Sequence, residues 1–363
     1  MKNDLKKEVL KFETVFLRDD DVLVIIDQTL LPNEEKNLEL TEQKEIWEAI
    51  YKLQVRGAPA IGVAAAFAAY LASREIVAED FDSFYTEFKK KLNYINSSRP
   101  TAVNLSWALE RMEKCALANK NKPLGELRTI LRKEAVEIRE EDIAVCRKIG
   151  EYGAELLSDG LGILTHCNAG ALATVKYGTA LAPIYVSMEN GVKNLRVYCD
   201  ETRPLLQGAR LTAFELVSAG ADTTVICDNM ASSIMQKGAI DIIFVGCDRV
   251  AANGDAANKI GTSGVAIMAR HYGVPFYVCC PTSTIDMETK TGNDIHIEQR
   301  NPEEVTEMWY EKRMAPKEAK VYNPAFDVTD HSLITGIITE FGVLRPPYGE
   351  AIKRIMGEKN NRK

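Results

Sequence analysis

The sequence lacks the features that mark several classes of protein. Its first residues, "MKNDLKKEVLKFETV", have neither the apolar core nor the small-residue cleavage site of a signal peptide. The longest apolar run, "IGVAAAFAAYLA" at residues 61–72, is too short to span a bilayer. The eight cysteines include no Cys-x-x-Cys pair and no histidine spacing typical of a zinc site. We therefore expect a cytosolic protein with reduced thiols, no membrane association and no metal site.

The sequence also lacks the basic excess of a protein that binds nucleic acid. Its 45 lysines and arginines are outnumbered by 52 aspartates and glutamates, which gives a formal net charge of −7. The short basic tail "KNNRK" is more typical of a solvated chain end than of a docking arm. With 363 residues, 46% of them apolar, the chain is long enough to bury a core in each of two domains.

Residues 1–150 are predicted to form a mainly helical domain with short strands. "VLVIIDQTL" reads as a strand followed by a turn, and the apolar spacing of "EIWEAIYKLQVRG" predicts a helix that ends at Gly57. The alanine-rich run after Pro59 predicts a tightly packed, buried helix. Two further amphipathic helices are expected, at about 101–119 and 124–151.

Residues 151–363 are predicted to form a Rossmann-like domain with a doubly wound parallel sheet, so the fold class is α/β. Short apolar runs alternate with helical or loop segments, as in a parallel sheet with crossover helices. Strands that are buried on both faces give such continuous apolar runs. The runs are "LGILTHC", "NLRVYCD", "DTTVICD", "DIIFVGCD" and "VPFYVCC".

The end of the first run raises the question of what His166 and Cys167 do there. If both residues still belong to the strand, their side chains point to opposite faces, which argues against a Cys–His pair. His166 then packs beneath a helix, and Cys167 is either a small buried residue or a reactive thiol. The second possibility arises because a glycine-rich turn into a helix follows, whose amide groups would lower a thiol pKa or hold an anion.

Three of the runs end in Cys-Asp, and the residues alone do not choose among their acids. The pairs are Cys199-Asp200, Cys227-Asp228 and Cys247-Asp248. In each, the cysteine is expected to be a small buried residue that ends a strand, and the aspartate either caps the next turn or acts as a catalytic acid.

Several glycine- and proline-rich segments are candidates for binding an anion. "ANGDAANKIGTSG" at residues 252–264 is predicted to be a cradling loop with Lys259 as its charge, although it is not a Walker motif. Arg56 and Arg99 each precede a proline at the mouth of a predicted helix, where an arginine suits a phosphate but also suits a solvated turn. A third such segment, "TRPLLQGAR", brings Gln207 near a helix mouth.

Taken together, these motifs resemble the methylthioribose-1-phosphate isomerase family along essentially the whole chain. The matching segments are "VRGAPAIG", "SSRPTAVNLSWAL", "LTHCNAGALAT", "DETRPLLQGARLTAFEL", "VGCDRVAANGDAANKIGT" and "YNPAFDVT". The resemblance implies an aldose–ketose isomerase that opens a ribose 1-phosphate to a ribulose 1-phosphate, without a cofactor or metal. It implies Cys167 and Asp248 as catalytic residues and a homodimer as the assembly. It further implies that seven residues bind substrate, namely Arg56, Gly57, Ala58, Arg99, Gln207, Asn258 and Lys259.

The implied chemistry explains the residue types. Phosphate blocks C1 of the sugar, so an acid must open the ring by protonating its oxygen, which suits an aspartate whose pKa is raised by burial. Hydrogen must then leave C2 and arrive at C1. Cys167 either removes the C2 proton as a thiolate or stabilises the cationic carbon while the hydrogen moves as a hydride.

Two alternatives remain at this stage. The substituent at C5 is methylthio or plain deoxy, and segments such as "GCDR" and "WYEKRMAPKEAKVYNPAFD" resemble the 5-deoxyribose branch slightly more. The wider superfamily also includes regulatory subunits of the exchange factor for translation initiation factor 2. A non-catalytic subunit that senses a sugar phosphate or nucleotide is therefore the competing interpretation.

Overall fold

The chain folds into two compact units that are interleaved in sequence. A computed structural model describes residues 8–100 and 102–361. The helical unit comprises Phe12–Cys146 and Gly170–Gly178, and the sheet unit comprises Arg147–Ala169 and the chain from Thr179 onward, with residues 8–11. The first change of unit lies near the expected boundary at residue 150, whereas the return at 170–178 has no counterpart in the sequence interpretation.

The helical unit pairs one small antiparallel sheet with helices. Its strands are β1 Val15–Leu17, β2 Leu23–Ile26 and β3 Asn37–Leu40. Its helices are α1 Gln43–Tyr51, α2 Ala58–Arg74, α3 Phe81–Asn96, α4 Val103–Ala118 and α5 Leu124–Ala154, and α5 continues into the sheet unit.

The alanine-rich helix α2 is a buried helix of the helical unit, as predicted. Every residue from Ala60 to Ser73 is buried, so α2 is surrounded rather than amphipathic. The small side chains let neighbouring helices approach closely; the backbone of Asn104 lies so near Gly62 that a Cβ there would be 3.0 Å from its carbonyl oxygen. Helix α1 ends at Tyr51 and not at Gly57, because Leu53 turns the chain with a φ of +60°.

Helix α3 has no counterpart in the sequence interpretation. Its buried residues Phe84, Phe88, Leu92 and Ile95 recur at helical spacing, and the Asp80 carboxylate caps it by accepting a hydrogen bond from the Ser83 amide. The pattern that predicts this helix was therefore present in the sequence.

The sheet unit contains a seven-stranded sheet and a smaller four-stranded one. The strands are β4 Gly162–Thr165, β5 Arg196–Asp200, β6 Asp222–Ile226, β7 Ile242–Val245, β8 Arg249–Ala251, β9 Ala256–Lys259, β10 Phe276–Cys279, β11 Ile285–Asp286, β12 Phe326–Thr329, β13 Gly336–Thr339 and β14 Gly342–Leu344. The helices are α6 Ala182–Glu189, α7 Ala213–Ala219, α8 Ala231–Gln236, α9 Thr262–Tyr272, α10 Glu303–Thr306 and α11 Tyr348–Asn361.

The large sheet confirms the predicted α/β class with a doubly wound, parallel sheet. Its order is β14-β13-β10-β7-β4-β5-β6, and only β14 runs antiparallel. All five predicted strands belong to it. From β4 the chain winds outward through β5 and β6, and then returns to the other side of β4 as β7. The carboxyl ends of β4 and β7 therefore border the switch point, where open α/β sheets bind their ligands.

The predicted cradling loop at 252–264 is not one loop. It contains the end of a hairpin, β8 and β9, and then a turn at Gly261 that begins α9. Strand β9 pairs with both β8 and the distant β12 in a sheet ordered β11-β8-β9-β12. Glycine and asparagine in the sequence suggested a loop, and the pairing with β12 overrides that preference.

No helix within the described ranges combines the length and the apolar character needed to cross a membrane.

Candidate active site

Cys167 lies directly beyond β4, in a conformation that is strained for any residue other than glycine. Its φ is +66°, and only 8% of the residue is exposed. Two threonine hydroxyls hold it from opposite sides. The Cys167 amide donates to Thr202 Oγ1 at 2.8 Å, and Thr212 Oγ1 donates to the Cys167 carbonyl at 2.6 Å. The backbone of the cysteine is thus fixed by two residues of the segment that follows β5.

The local structure around Cys167 differs from the sequence interpretation in two ways. Strand β4 ends at Thr165, so the alternation argument for His166 and Cys167 does not apply. The expected helix after the glycine-rich turn is a single 3-10 turn, Ala171–Ala173, in the helical unit. A helix N-terminus therefore does not account for an activated thiol here, because a single 3-10 turn has almost no dipole.

A buried polar network stands behind the cysteine. Asn168 Nδ2 donates to Glu215 Oε1 at 2.7 Å and to Thr212 Oγ1 at 3.2 Å, and the Tyr185 hydroxyl donates to Glu215 Oε2 at 3.0 Å. Thr212 ends a π-helical turn, Gly208–Thr212, that leads into α7. π-Helical turns are rare in proteins, and those that occur are often found at functional sites. Position 208 requires glycine, since a Cβ there would lie 1.7 Å from the backbone oxygen of Asp200.

The three Cys-Asp acids, which the sequence left undistinguished, differ in their surroundings. Asp200 is fully buried and bonds His166 through Oδ2 at 2.9 Å. Asp228 accepts the amides of Thr202 and Arg203 through its two oxygens, each at 2.7 Å. Both carboxylates therefore hold local structure.

Asp248 follows β7, across the switch point from Cys167. Its amide donates to the Ala257 carbonyl at 2.9 Å, and its side chain is exposed. This exposure differs from the expectation of an acid whose pKa is raised by burial, because the packing of the sheet unit leaves the carboxyl accessible.

Cys247, the residue before Asp248, has a structural environment. Its thiol donates to the carbonyls of Arg249 and Ala257, and burial raises the pKa of this thiol.

Asn258 and Lys259 end strand β9. Asn258 is buried, and its Nδ2 donates to Thr262 Oγ1 at 3.0 Å. Lys259 Nζ donates to the Ala325 carbonyl at 3.0 Å and lies 4.5 Å from the centre of the Phe326 ring. The lysine charge is therefore oriented by β12 rather than by a flexible loop.

Gln207 immediately precedes the π-helical turn and is 7% exposed. Its Oε1 is buried and has no hydrogen-bond partner among the described residues. A buried, unpaired amide oxygen costs free energy and calls for an explanation such as a donor supplied by a ligand.

The four other predicted site residues lie in the helical unit. Gly57 caps α2 with a φ of +92°, and a Cβ there would be 2.2 Å from the Ala173 oxygen, so glycine is required. Arg56 precedes this cap, and Ala58 begins the helix with Pro59 after it, as predicted. Arg99 lies between α3 and α4, and its carbonyl accepts from the Ala102 amide at 3.0 Å.

Among the residues that the structure describes, two groups of side chains place potential metal-ligand atoms within 4.8 Å of one another. They are His166, Asp200 and Asp228, and Asp255, Asp330 and His331. In the first group, both ring nitrogens and both Asp228 oxygens are committed to hydrogen bonds. In the second, Asp255 accepts from Asn253, Gly292 and His331. Except for Asp200 Oδ1, the ligand atoms of the first group already serve the fold, and so do the Asp255 oxygens of the second.

Sequence reasoning missed the residues that support the cysteine. Thr202, Thr212 and Glu215 lie within "DETRPLLQGARLTAFEL", a segment that drew attention only through Gln207. A buried glutamate in an apolar helix is unusual, and this is the one signal in the sequence that pointed to a buried network.

Two cysteines, Cys199 within β5 and Cys227 directly after β6, give a matched prediction about stability. Cys199 is buried, whereas Cys227 is exposed, which corrects the expectation that both are buried. We expect Cys199→Ser to lower the free energy of unfolding by roughly 1–3 kcal/mol, because it buries a hydroxyl, and Cys227→Ser to change it by less than about 0.5 kcal/mol. Urea unfolding of both variants checks this, and equal losses would contradict it.

Comparison with known proteins places these observations in a family. Residues 54–346 match the model of the initiation factor 2 subunit family. The chain is 63% identical to methylthioribose-1-phosphate isomerase of Symbiobacterium thermophilum over 350 residues, which are 96% of this chain and 97% of the relative. It is 55% identical to 5-deoxyribose 1-phosphate isomerase of Clostridium botulinum over 335 residues, 92% of this chain and 95% of the relative.

A solved structure agrees with these relatives in fold. The crystal structure of 5-methylthioribose 1-phosphate isomerase from Pyrococcus horikoshii OT3 superposes with a TM-score of 0.93 at 44% identity, covering 98% of this chain and 99% of that one. The similarity to both kinds of isomerase extends over nearly the full length of the chain.

Proposed function

The chain belongs to the initiation factor 2 subunit family, and on that premise we propose that it is an aldose–ketose isomerase. Its substrate is a ribose 1-phosphate with an apolar substituent at C5, either methylthio or plain deoxy, and its product is the corresponding ribulose 1-phosphate. The relatives named for these two reactions are 63% and 55% identical to the chain.

One observation carries the proposal. A cysteine held in a strained conformation follows β4, and an accessible carboxyl follows β7, so both lie at the carboxyl ends of the strands that border the switch point. A thiol and a carboxylic acid are the two groups that this isomerisation needs. Strain at Cys167, held by Thr202 and Thr212, is typical of a residue whose position matters for function.

Ring opening is the first step. Asp248 donates a proton to the ring oxygen, the bond from C1 to that oxygen breaks, and the phosphate stays on C1 throughout. Because Asp248 is exposed, its carboxyl is accessible to the ring oxygen of a bound substrate. Asp200 and Asp228 are less suited to this role, because Asp200 is fully buried and paired with His166, and both oxygens of Asp228 accept backbone amides.

Hydrogen then moves from C2 to C1 by one of two routes. In the first, the Cys167 thiolate takes the C2 proton, which gives an enediol-like intermediate that is reprotonated at C1. In the second, the hydrogen passes directly from C2 to C1 as a hydride, and Cys167 stabilises the cationic carbon. In both routes the C2 hydroxyl loses its proton as the ketone forms, and this proton restores the Asp248 carboxylic acid. Neither route requires a cofactor or a metal.

Seven residues are proposed to bind the substrate, on the basis of the family motifs. Lys259 and Arg56 provide charge for the phosphate, and the unpaired Oε1 of Gln207 suits a sugar hydroxyl. The remaining four are Gly57, Ala58, Arg99 and Asn258.

Removal of the Lys259 charge tests the phosphate assignment. Lys259→Met should weaken binding of the ketose 1-phosphate by about 1.5–3 kcal/mol, the typical contribution of a charge-assisted hydrogen bond. Calorimetric titration measures it, with Lys237→Met at the exposed end of α8 as the control. Unchanged affinity in Lys259→Met would remove the lysine from the binding site.

Specificity for the C5 group is expected to be modest. An apolar pocket separates a methyl from a methylthio group by only about 1–3 kcal/mol. The enzyme should therefore turn over both sugars, with kcat/KM values that differ by about 10- to 200-fold. Initial rates on the two substrates check this. A ratio above roughly 10⁴ would show that a polar or steric gate selects the C5 group instead.

The function itself is tested by supplying each sugar, prepared with a nucleoside phosphorylase, and following the ketose by NMR. Exchange of the C2 hydrogen with solvent during turnover favours the proton route, and complete retention favours the hydride route. A non-catalytic subunit of the initiation-factor type would bind without converting either sugar. A phosphate-release assay does not distinguish the two, because the isomerase keeps the phosphate.

We further propose a cytosolic homodimer. The location is supported by the described cysteines, none of which forms a disulfide, and by the phosphorylated substrate. The assembly is supported by the family resemblance.

A further inference from the structure

The ring of His166 is fixed by hydrogen bonds at both nitrogens. It is 1% exposed, its Nδ1 lies 2.9 Å from Asp200 Oδ2, and its Nε2 lies 2.8 Å from the Ile260 carbonyl oxygen. A carbonyl oxygen accepts but never donates, so Nε2 must carry a hydrogen. Both the orientation and the tautomer of the ring are therefore set by its partners.

The contact with Asp200 must also contain a proton. With Nε2 protonated, a neutral ring would direct the Nδ1 lone pair at the carboxylate, and the two would repel. The pair is therefore either imidazolium and carboxylate or imidazole and carboxylic acid, and in both forms its net charge is zero. Burial lowers the pKa of His166, but the bond to Asp200 outweighs it, so the pKa is raised overall; burial raises the pKa of Asp200 as well.

Asp200 depends on this contact. Its residue is fully buried at the end of β5, and its other oxygen, Oδ1, has no hydrogen-bond partner within the described ranges. The nearest further carboxylate, that of Asp228, has both oxygens bonded to the amides of Thr202 and Arg203. The hydrogen bond from the His166 ring thus offsets the cost of burying the Asp200 carboxyl.

The partners of the ring belong to elements that are far apart in sequence. On one side is the segment after β4, where Cys167 is the next residue. On the other side is Ile260, which directly follows Asn258 and Lys259 on β9. Gly261 presses against the ring, because a Cβ there would lie 2.8 Å from His166 Cε1. The ring therefore lies between the end of β5 and the turn at Gly261. Its two hydrogen bonds, to Asp200 and to Ile260, fix the distance between these two segments.

We infer that His166 is a positioning residue: it ties the strand end that carries Cys167 to the turn that carries Asn258 and Lys259. The inference rests on the proposed function, since it assigns a role to the spacing between the catalytic cysteine and the residues proposed to bind the substrate. Both ring nitrogens are used by Asp200 and Ile260. It acts through Ile260, and the net charge of its pair with Asp200 is zero.

Two substitutions separate the contacts of the ring. An asparagine at position 166 places its amide near the former Nδ1 and loses the reach to Ile260, whereas a glutamine reaches the Ile260 carbonyl as a donor. We expect His166→Asn to raise the Kd of the ketose 1-phosphate and to lower kcat/KM at least tenfold per folded molecule. We expect His166→Gln to stay within about threefold of the wild type on both measures.

Asp200→Asn tests the part played by charge. The side-chain amide of the new asparagine donates to Nδ1 of a neutral His166 ring, and Nε2 still donates to the Ile260 carbonyl. Both hydrogen bonds of the ring are therefore kept, while the carboxyl and its shared proton are lost. Kinetics near those of the wild type are expected. A loss larger than that of His166→Asn would mean that the charge of the pair, and not the tie, is what matters, and would overturn the inference.

The wild-type protein gives a test that does not depend on any variant folding. The chain has four histidines, so ¹⁵N-histidine labelling gives a small set of ring signals. We expect one ring with a protonated, exchange-protected Nε2 and a pKa raised above the ordinary value of about 6.5. If all four rings titrate near the ordinary pKa of about 6.5, the tie does not exist.

The failures of the two proposals are distinguishable. Wild-type protein that converts neither sugar overturns the proposed isomerase function. Active wild-type protein together with a folded His166→Asn variant of unchanged Kd and kcat/KM overturns the positioning role, since a purely structural histidine would lower only the melting temperature.

Discussion

Cys167→Ser is expected to fold normally and bind the ketose 1-phosphate with unchanged affinity, yet to lose at least about 10²-fold in single-turnover rate, the scale of one positioned base. The hydroxyl is similar in size to the thiol, and the two backbone hydrogen bonds to Thr202 and Thr212 do not involve the side chain, so the strained conformation is retained. A serine hydroxyl, however, is far less acidic and less polarisable than a thiol.

The exposed Cys227→Ser provides the control for a change of sulfur to oxygen away from the site. Rates are to be expressed per folded molecule, with folding monitored by circular dichroism. If Cys167→Ser turns over near the wild-type rate, the cysteine is only a small residue that completes the packing beyond β4, and the acid–base roles at the switch point must be reassigned.

Asp248→Asn is expected to lower turnover by at least about 10²-fold, because an amide cannot protonate the ring oxygen. Product binding should change little, since the ketose has an open chain and no longer needs that proton. Rapid-quench measurement of a single turnover isolates the step, and Asp222→Asn on the exposed edge strand β6 is the matched control.

Solvent isotope effects sharpen the test of Asp248. If ring opening limits the wild-type rate, the single-turnover rate should be slower in D₂O than in H₂O, because the Asp248 proton is in flight. The ratio of the two rates should differ in Asp248→Asn, which has no such proton. An asparagine variant that retains more than about a tenth of the wild-type rate would show that another donor, and not Asp248, opens the ring.

The large sheet was predictable because each of its buried strands appears as an unbroken apolar run. "LGILTHC" and "DIIFVGCD" became β4 and β7, and their separation along the chain was enough to suggest the crossover helices. The small sheet was not predictable in the same way. "AANK" is a strand because it pairs with both β8 and β12, and no local pattern indicates a partner so distant in sequence.

The site was predictable in its location and only partly in its roles. The segments that follow the strands were searched because parallel strands bring their carboxyl ends to one edge, and they offered Cys167, Gln207 and the three Cys-Asp acids as candidates. Only the family resemblance singled out Asp248 among those acids and gave Cys167 a catalytic role. The three Cys-Asp pairs look alike in sequence. Only the contacts of Asp200 with His166, and of Asp228 with two backbone amides, distinguish them from the exposed Asp248. The strain at Cys167 was equally invisible, since the threonines that hold it come from other segments.

The return of Gly170–Gly178 to the helical unit has a consequence for synthesis on the ribosome. Thr14 Oγ1 donates to the Ala171 carbonyl, Gln28 Nε2 donates to the Leu172 carbonyl, and the Val175 amide donates to Asp142 Oδ2, at 2.6, 2.8 and 2.8 Å. Thr14 and Gln28, near the start of this unit, therefore cannot form these hydrogen bonds until residues 171 and 172 have been synthesised. Domains commonly fold in order as they emerge, but this one cannot complete its hydrogen bonds until the chain beyond Cys167 has left the exit tunnel. A nascent chain stalled before residue 170 would leave Gly57 uncovered and the side chains of Thr14, Gln28 and Asp142 without these partners.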